Sequence, residues 1–189
     1  FDIASLTEKA KAWAGLEGLD LAKDASCLQP FVYDEGLWTW PEGYAKAGEP
    51  KYEVVVLDYG VKRNILRALT SIGARVTVVP AKTTAEEVLA RKPDGVLLSN
   101  GPGDPAATGE YAVPEIKKLV ESGVPVFGIC LGHQMMARAL GAKTVKMEQG
   151  HHGANHPVKD VTTGKVEIVS MNHGFTVDRD SLPEPVVET

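Results

Sequence analysis

Residues 124–134 read VPVFGICLGHQ, and this stretch decides the fold. It begins as an apolar run that predicts a buried strand, and a helix is predicted from Gln134 to Leu140. Between them Gly128 and Gly132 flank Cys130, a spacing typical of the strained strand-to-helix elbow that presents a nucleophile above a sheet. The thiolate is favoured there by the positive end of the helix. We interpret Cys130 as a catalytic nucleophile; the alternative is a small buried core residue, the usual environment of a free cysteine.

From Tyr52 onward, short apolar strands alternate with amphipathic helices. This alternation predicts an α/β fold with a doubly wound, mostly parallel, flavodoxin-like sheet that is covered on both faces. Three predicted strands precede the one that leads into the elbow: Glu53–Asp58, Arg75–Val79 and Asp94–Leu98. The predicted helices between them are Val61–Ile72, a helix capped by Thr83 or Thr84 that runs to Leu89, and Tyr111–Glu121. Ligands of such sheets bind at the carboxyl ends of the strands, where the elbow also lies.

The two ends of the chain differ from this central part. Residues 1–50 are predicted to be a connector from a missing N-terminal domain, with a capping box at Ser5–Glu8, a short helix to Trp13 and a further turn at Asp20–Ala25. Its aromatic residues are expected to lie on a neighbouring surface; a ligand-stacking patch is the alternative. After Gly141, three strands without helices predict an antiparallel C-terminal extension: Lys143–Met147, Val166–Met171 and Phe175–Val177.

The composition is that of an ordinary globular protein. The 189 residues are 43% hydrophobic and 24% charged, with a net charge of −5. This net negative charge does not provide the excess of basic residues that binding to nucleic acid or an anionic membrane surface requires. No apolar run reaches the ~20 residues of a membrane span. The two cysteines form no disulfide framework, so we expect a cytoplasmic protein. The missing initiator Met suggests an excerpt of a longer chain.

A Gly/Pro-rich loop, Ser99–Pro105, follows the third predicted strand. Such a loop can direct backbone N–H groups at an anion, and beside a nucleophilic cysteine the natural target is the oxyanion of a tetrahedral intermediate. The N–H of Leu131, directly after the nucleophile, would be a second donor. The alternative is a plain Gly/Pro turn.

Together these motifs resemble those of a known enzyme family. Residues 128–134 resemble the nucleophile motif of class I (triad-type) glutamine amidotransferases. Four further stretches narrow the resemblance to the small subunits of carbamoyl-phosphate synthase within that family: Leu57–Ile65, Asn100–Pro105, Gly153–Val158 and Asn172–Phe175.

The resemblance implies both a reaction and a set of site residues. Glutamine would be hydrolysed through a thioester on Cys130, with Gly103 and Leu131 as the oxyanion hole. The ammonia would pass to a large subunit that uses ATP, Mg²⁺ and bicarbonate to make carbamoyl phosphate, with no cofactor in this chain. The family match assigns glutamine binding to Gly101, Gly103, Leu131, Gln134, Asn172, Gly174 and Phe175.

The chain departs from the family pattern at the catalytic base. The family uses a His and an orienting Glu in a His-Pro-Glu motif, and no such motif occurs in these 189 residues. We expect both residues beyond Thr189, so that residues 51–189 are an amidotransferase domain truncated before this motif. His133 is predicted to point into the flank of the sheet rather than over its rim, and His173 lies nearer the expected rim.

Other charged groups leave alternatives open. His151, His152 and His156 could form a metal cluster, but no cysteine or carboxylate at a familiar metal spacing accompanies them, so we predict no metal and a loop or strand-edge role. Lys62 and Arg63 could meet an anion or a partner, although a solvated helix turn is commoner. Two competing functions are a stand-alone cysteine hydrolase with its base inside the chain and a catalytically silent amidotransferase-like module.

Overall fold

A computed structural model describes all 189 residues as nine strands and six α-helices. The strands are β1 (Phe31–Tyr33), β2 (Glu35–Thr39), β3 (Gly43–Lys46), β4 (Tyr52–Asp58), β5 (Ala74–Pro80), β6 (Gly95–Leu98), β7 (Val126–Gly128), β8 (Thr144–Lys159) and β9 (Val166–Val177). The helices are α1 (Ile3–Lys11), α2 (Ala22–Ala25), α3 (Arg63–Ser71), α4 (Ala85–Leu89), α5 (Pro105–Glu121) and α6 (Leu131–Ala139), followed by a 3-10 turn at Arg179–Ser181. None of the helices has the length and apolar character that crossing a membrane requires.

The central sheet has five strands in the order β1-β5-β4-β6-β7. Strands β5, β4, β6 and β7 are parallel, and β1 pairs antiparallel with β5 at one edge. The chain leaves β4 first toward β5 and later returns to its other side as β6, so the strand order reverses beside β4. This topology confirms the predicted doubly wound, mostly parallel sheet, and it makes the carboxyl ends of β4 and β6 the expected ligand site.

Apolar side chains leave the sheet on alternate faces and form two cores. Val56, Val76 and Val78 join Leu66 of α3 in one cluster. The other face buries a larger cluster that includes Leu57 and residues of α4, α5 and α6. Both faces are therefore covered, as the near-continuous apolar strands require, because a parallel sheet exposes neither face to water.

The first fifty residues contribute structure that the connector prediction lacked. Phe31–Tyr33 extends the main sheet as β1. Strands β2 and β3 form a hairpin against α3, where Arg67 pairs with Glu35 at 2.8 Å. Trp38 and Trp40 are exposed and contact each other with ring centroids 6.1 Å apart, so these two rings do not cover a neighbouring surface of the chain. The boundary at residue 50 stays a prediction.

Helices α1, α5 and α6 begin earlier than predicted, the first two because an aspartate side chain caps them. Helix α1 is capped by Asp2, whose carboxylate accepts from the N–H of Ala4 and Ser5, so the predicted capping box at Ser5 is wrong. Helix α5 begins at Pro105, six residues before the prediction, because Asp104 caps it and proline suits a first helical position. Helix α6 begins at Leu131, immediately after Cys130.

The C-terminal extension is one long antiparallel hairpin. Strands β8 and β9 pair with each other alone, with register shifts between Lys146 and His151 and between Gly153 and His156. The predicted antiparallel extension is confirmed, although two strands replace the three expected. Strand β9 contacts helix α6, which places one side of the hairpin beside the elbow.

Candidate active site

The elbow holds Cys130 in a strained conformation that both flanking glycines make possible. Cys130 has φ 54° and ψ −109°, outside the regions that side-chain-bearing residues normally occupy. A Cβ on Gly132 would lie 2.2 Å from the carbonyl oxygen of Leu98, and one on Gly128 would lie 2.6 Å from the N of His133. Since no real Cβ approaches backbone this closely, both positions require glycine.

The pKa of Cys130 is raised, contrary to the easy ionisation expected at a helix start. Burial of the thiol is the main cause, and the Leu131 N–H and the charge of Lys62 oppose it without cancelling it. Helix dipole and neighbouring cation therefore moderate the cost of the thiolate but do not remove it. A nucleophilic Cys130 needs a base to take its proton.

Two backbone N–H groups beside the cavity, those of Leu131 and Gly103, are the candidate oxyanion donors. The N–H of Leu131 is directed at the Cys130 thiol and helps to lower its pKa, whereas the N–H of Gly103 forms no hydrogen bond within the chain. Gly103 has φ +98°, a conformation that favours glycine. These are the two residues predicted to supply an oxyanion hole, and that role stays a prediction.

The loop that carries Gly103 is fixed to the neighbouring strand end. Asn100 accepts the N–H of Lys62 at 3.1 Å and donates to the carbonyl of Gly60 at 3.0 Å. A Cβ on Gly101 would lie 2.1 Å from the carbonyl oxygen of Tyr59, so this loop touches the loop after β4 backbone to backbone. The close approach explains why glycine stands at position 101.

A cavity of about 810 Å³ opens over this rim of the sheet. It is bounded by the elbow, by the loops after β4 and β6, by strand β9 and by the N-terminal segment. Its lining includes six of the seven predicted glutamine-binding residues, together with Cys130: Gly101, Gly103, Gln134, Asn172, Gly174 and Phe175. Leu131 is buried and outside the lining, so it can contribute only its N–H.

Polar contacts hold strand β9 against the elbow helix. Gln134 is buried and donates from Nε2 to the carbonyl of Phe175 at 2.7 Å. Asn172 Oδ1 lies 2.7 Å from His152 Nδ1, which donates to it. These bonds leave the Gln134 side-chain oxygen and the Asn172 NH₂ without a partner in the chain, so both remain free for a polar ligand.

Three histidines line the cavity, His133, His152 and His173, and the sequence prediction misplaced the first of them. His133 is exposed and lines the cavity with Cys130, so the prediction that it points into the flank of the sheet is wrong. Partial desolvation of its ring lowers its pKa. His173 also lines the cavity, and its Nδ1 donates to the Phe175 carbonyl at 2.8 Å.

His151 and His156 complete a cluster of imidazoles beside His173. Nδ1 of His151 donates to Nε2 of His173 at 3.2 Å, and the His151 ring lies 5.0 Å from the rings of both His156 and His173. No group of three or more His, Cys, Asp or Glu side chains in the 189 residues is arranged to hold a metal ion. These histidines lie within strands β8 and β9.

Several cavity residues were missed or left undecided by the sequence. Lys62, for which a solvated turn and an anion contact were both left open, is exposed and lines the cavity, whereas Arg63 is exposed outside it. Leu16 of the N-terminal segment also lines it, and no local pattern signals this. Cys27 is half-buried, and its pKa is raised to about 11, mainly by burial and then by Asp58.

Comparisons with known proteins agree with this geometry. The family model described as "Glutamine amidotransferase class-I" matches residues 55–189. A glutamine amidotransferase structure from Thermotoga maritima superposes with a TM-score of 0.53 at 19% identity, covering 67% of this chain and 62% of its own. One from Methylobacillus flagellatus gives a TM-score of 0.52 at 15% identity, covering 69% and 58%. At these identities the structures support the fold alone.

The chain belongs to the class I glutamine amidotransferases, because the family model covers most of it. Within this class it is 82% identical over all 189 residues to the carbamoyl phosphate synthase small chain of Caulobacter vibrioides. It is 69% identical to the protein of that name from Brucella anthropi. It spans 49% and 46% of these relatives, about half their length.

Proposed function

We propose that the protein containing this chain is the glutaminase component of carbamoyl phosphate synthase. The observation that carries the proposal is Cys130 at a strained elbow, with the Leu131 N–H directed at its sulfur and the Gly103 N–H free, beside a cavity of about 810 Å³. The similarity to small chains of carbamoyl phosphate synthase, at 82% and 69% identity, supports this member of the class.

The reaction follows from the groups that surround the sulfur. The Cys130 thiolate attacks the side-chain amide carbon of glutamine, and the carbonyl oxygen becomes an oxyanion between the N–H groups of Gly103 and Leu131. The C–N bond then breaks as the nitrogen gains a proton, and ammonia leaves a glutamyl thioester. Water attacks the thioester, releases glutamate and returns a proton to the sulfur.

The glutamine-binding residues have complementary chemistry for an amino acid. The free side-chain oxygen of Gln134 can accept from an ammonium group, and the Asn172 amide can donate to a carboxylate. The buried ring of Phe175 and the glycines at 101 and 174 leave a wall and space for the aliphatic chain. The free oxygen and amide are therefore placed to fix the charged end of the substrate while Cys130 faces the other.

The proposed base is the histidine of the family's His-Pro-Glu motif, which these 189 residues do not contain. Within the chain, His133 is the cavity histidine without a hydrogen-bond partner, whereas both ring nitrogens of His173 are engaged. The raised pKa of Cys130 makes a base necessary, since the thiol predominates near neutral pH.

The proposal extends to partner and compartment. The ammonia would be consumed by a large subunit that binds ATP and Mg²⁺, so this chain would hold neither. Both cysteines are free, which suits a reducing cytoplasm. The name "small chain" that these relatives carry supports a larger partner.

The proposal is tested by ammonia release from L-glutamine. Residues 1–189 and the full-length protein are compared, each with a Cys130→Ser control. Ammonia release by the full-length protein but not by residues 1–189, abolished by Cys130→Ser, supports the proposal and a base outside this segment. Equal release by both, lost on His133→Asn, would favour a hydrolase with its base inside the chain.

The partner is tested separately by adding the ATP-using large subunit. Glutamine-dependent carbamoyl phosphate formation by the mixture is expected, and it should disappear with Cys130→Ser. A full-length protein that is fully active alone and gains nothing from the large subunit would contradict this part.

A further inference from the structure

A segment without regular structure, Leu16–Leu21, is held tightly against the loop that carries Gly103. The N–H of Gly18 donates to Asp104 Oδ2 at 2.9 Å, and the N–H of Asp104 donates to the carbonyl of Leu19 at 2.9 Å. These two bonds join positions that are 86 and 85 residues apart, so they are tertiary contacts and not a local turn.

The contact between this segment and Gly103 leaves no free space. A Cβ on Gly103 would lie 2.6 Å from the carbonyl oxygen of Leu19 and 2.9 Å from the N of Leu21. The segment therefore packs on the Cα of the residue whose N–H is an oxyanion donor in the proposed reaction. A movement of the segment would change the position of that donor.

A second anchor fixes the far end of the segment. Asp20 Oδ1 accepts from the hydroxyl of Thr108 at 3.0 Å and from that of Tyr111 at 3.4 Å, both on helix α5. Because Asp104 caps the same helix through the N–H of Ala106 at 2.7 Å, segment, loop and helix start form one unit.

We propose that Asp104 is a positioning residue for the oxyanion hole: one carboxylate oxygen caps helix α5 while the other fastens Leu16–Leu21 over Gly103 and fixes its N–H. The proposal rests on the proposed glutaminase function. Asp104 is buried, with 8% of its surface exposed, and both oxygens accept backbone N–H groups. It lies outside the cavity lining, so its effect on the reaction passes through Gly103.

The physical reason is the flexibility of the loop. Glycine at φ +98° has other conformations of similar energy, and a hydrogen bond to an oxyanion needs its donor within about 3 Å of the developing charge. The chain therefore restrains Gly103 from outside, with a charged acceptor that forms stronger bonds to N–H groups than a neutral one does.

The test is Asp104→Asn in the full-length protein. Asparagine keeps an oxygen for the cap on α5 and places an NH₂ group against the N–H of Gly18, so that only the fastening is lost. We expect kcat for glutamine hydrolysis to fall about 10- to 100-fold, with KM changed less than about threefold.

The rate at which iodoacetamide alkylates Cys130 in the Asp104→Asn protein distinguishes a positioning role of Asp104 from a purely structural one. Alkylation displaces iodide at an sp³ carbon and develops no oxyanion, so its rate should stay within about twofold of the unsubstituted protein. Equal losses of kcat, alkylation rate and unfolding free energy would mean that Asp104 only stabilises the fold, and would overturn the proposal. An unchanged kcat would overturn it as well.

Two further variants keep the test decisive. Asp94→Asn is the matched control, because Asp94 accepts the N–H of Glu53 at 2.8 Å at the opposite end of the sheet, and its kcat should not change. If Asp104→Asn does not fold, Asp104→Ser replaces it, because serine still caps α5 but is too short to reach Gly18. A lower kcat with an unchanged alkylation rate is again expected. An unsubstituted protein without glutaminase activity would instead refute the proposed function.

Discussion

Gln134 Nε2 donates to the Phe175 carbonyl oxygen across 2.7 Å and so joins helix α6 to strand β9. Each residue is 6% exposed, and they are 41 positions apart in the chain. Strands β8 and β9 pair only with each other, so this buried bond is a principal link between the hairpin and the main fold. It fixes one wall of the cavity to the helix that begins at Cys130.

Loss of this bond should destabilise the protein. Gln134→Met keeps the length of the side chain but leaves the buried Phe175 carbonyl with one donor fewer. We expect the unfolding free energy to fall by about 1–3 kcal/mol in urea denaturation. Gln29→Met, at an exposed position without a side-chain hydrogen bond, is the control and should change little. Equal stability of the two variants would contradict this account of the hairpin.

The elbow should not tolerate a methyl group at position 132. In Gly132→Ala the new Cβ would meet the Leu98 carbonyl, so strand β6 or helix α6 must shift. We expect a loss of more than about 3 kcal/mol in unfolding free energy, or failure to fold. Gly48→Ala is the control, because a Cβ there meets nothing within 4 Å. A soluble Gly132→Ala protein of normal stability would show that the close approach is wrong.

Lys62 should aid ionisation of Cys130. Its positive charge lowers the pKa of the thiol against the effect of burial, so Lys62→Met should raise that pKa further. At about pH 8, iodoacetamide alkylation of Cys130, followed by peptide mapping, should slow about two- to fivefold, as expected for loss of one nearby charge. Arg63→Met, next to it but outside the cavity, serves as control; if it slowed the reaction equally, a local effect of Lys62 would be refuted.

Alkylation should also depend steeply on pH. Because the pKa of Cys130 is raised, the thiolate is scarce near neutral pH, and the rate should rise about tenfold per pH unit until the pKa is passed. Cys27, with a pKa of about 11, should react more slowly over the same range. A plateau of the Cys130 rate already below pH 8 would contradict a raised pKa.

The imidazole cluster should make stability fall in acid. Burial, and then the neighbouring charges of His173, His156 and His152, lower the pKa of His151, so its charged form is disfavoured in the fold. The stabilisation from neutral His151 is present above the unfolded pKa of about 6.5 and is lost as pH falls through the folded pKa.

Unfolding measured at about pH 7.5 and about pH 5 tests this dependence. His151→Gln should lose less stability between the two values than the unsubstituted protein does. Lys159→Gln, exposed on the same hairpin, should keep the original dependence. If all three proteins lost the same unfolding free energy between the two pH values, His151 would not be the cause of the pH dependence.

The sequence alone determined the strand–helix alternation and the elbow. Both depend on local properties: apolar runs of strand length, helical spacing of apolar residues, and glycines two positions on either side of Cys130. Each of these patterns spans only about ten residues, so it can be recognised without knowing which strand pairs with it. The class of protein followed from the motifs for the same reason.

Tertiary structure decided what depends on distant backbone. The pairing of Phe31–Tyr33 with β5, the packing of Leu16–Leu21 on Gly103 and the entry of His133 into the cavity have no local signal. The pKa of Cys130 was predicted in the wrong direction, because burial depends on the whole fold whereas the helix dipole is visible in the sequence. Local periodicity thus determined which elements form, and long-range packing determined which groups surround the sulfur.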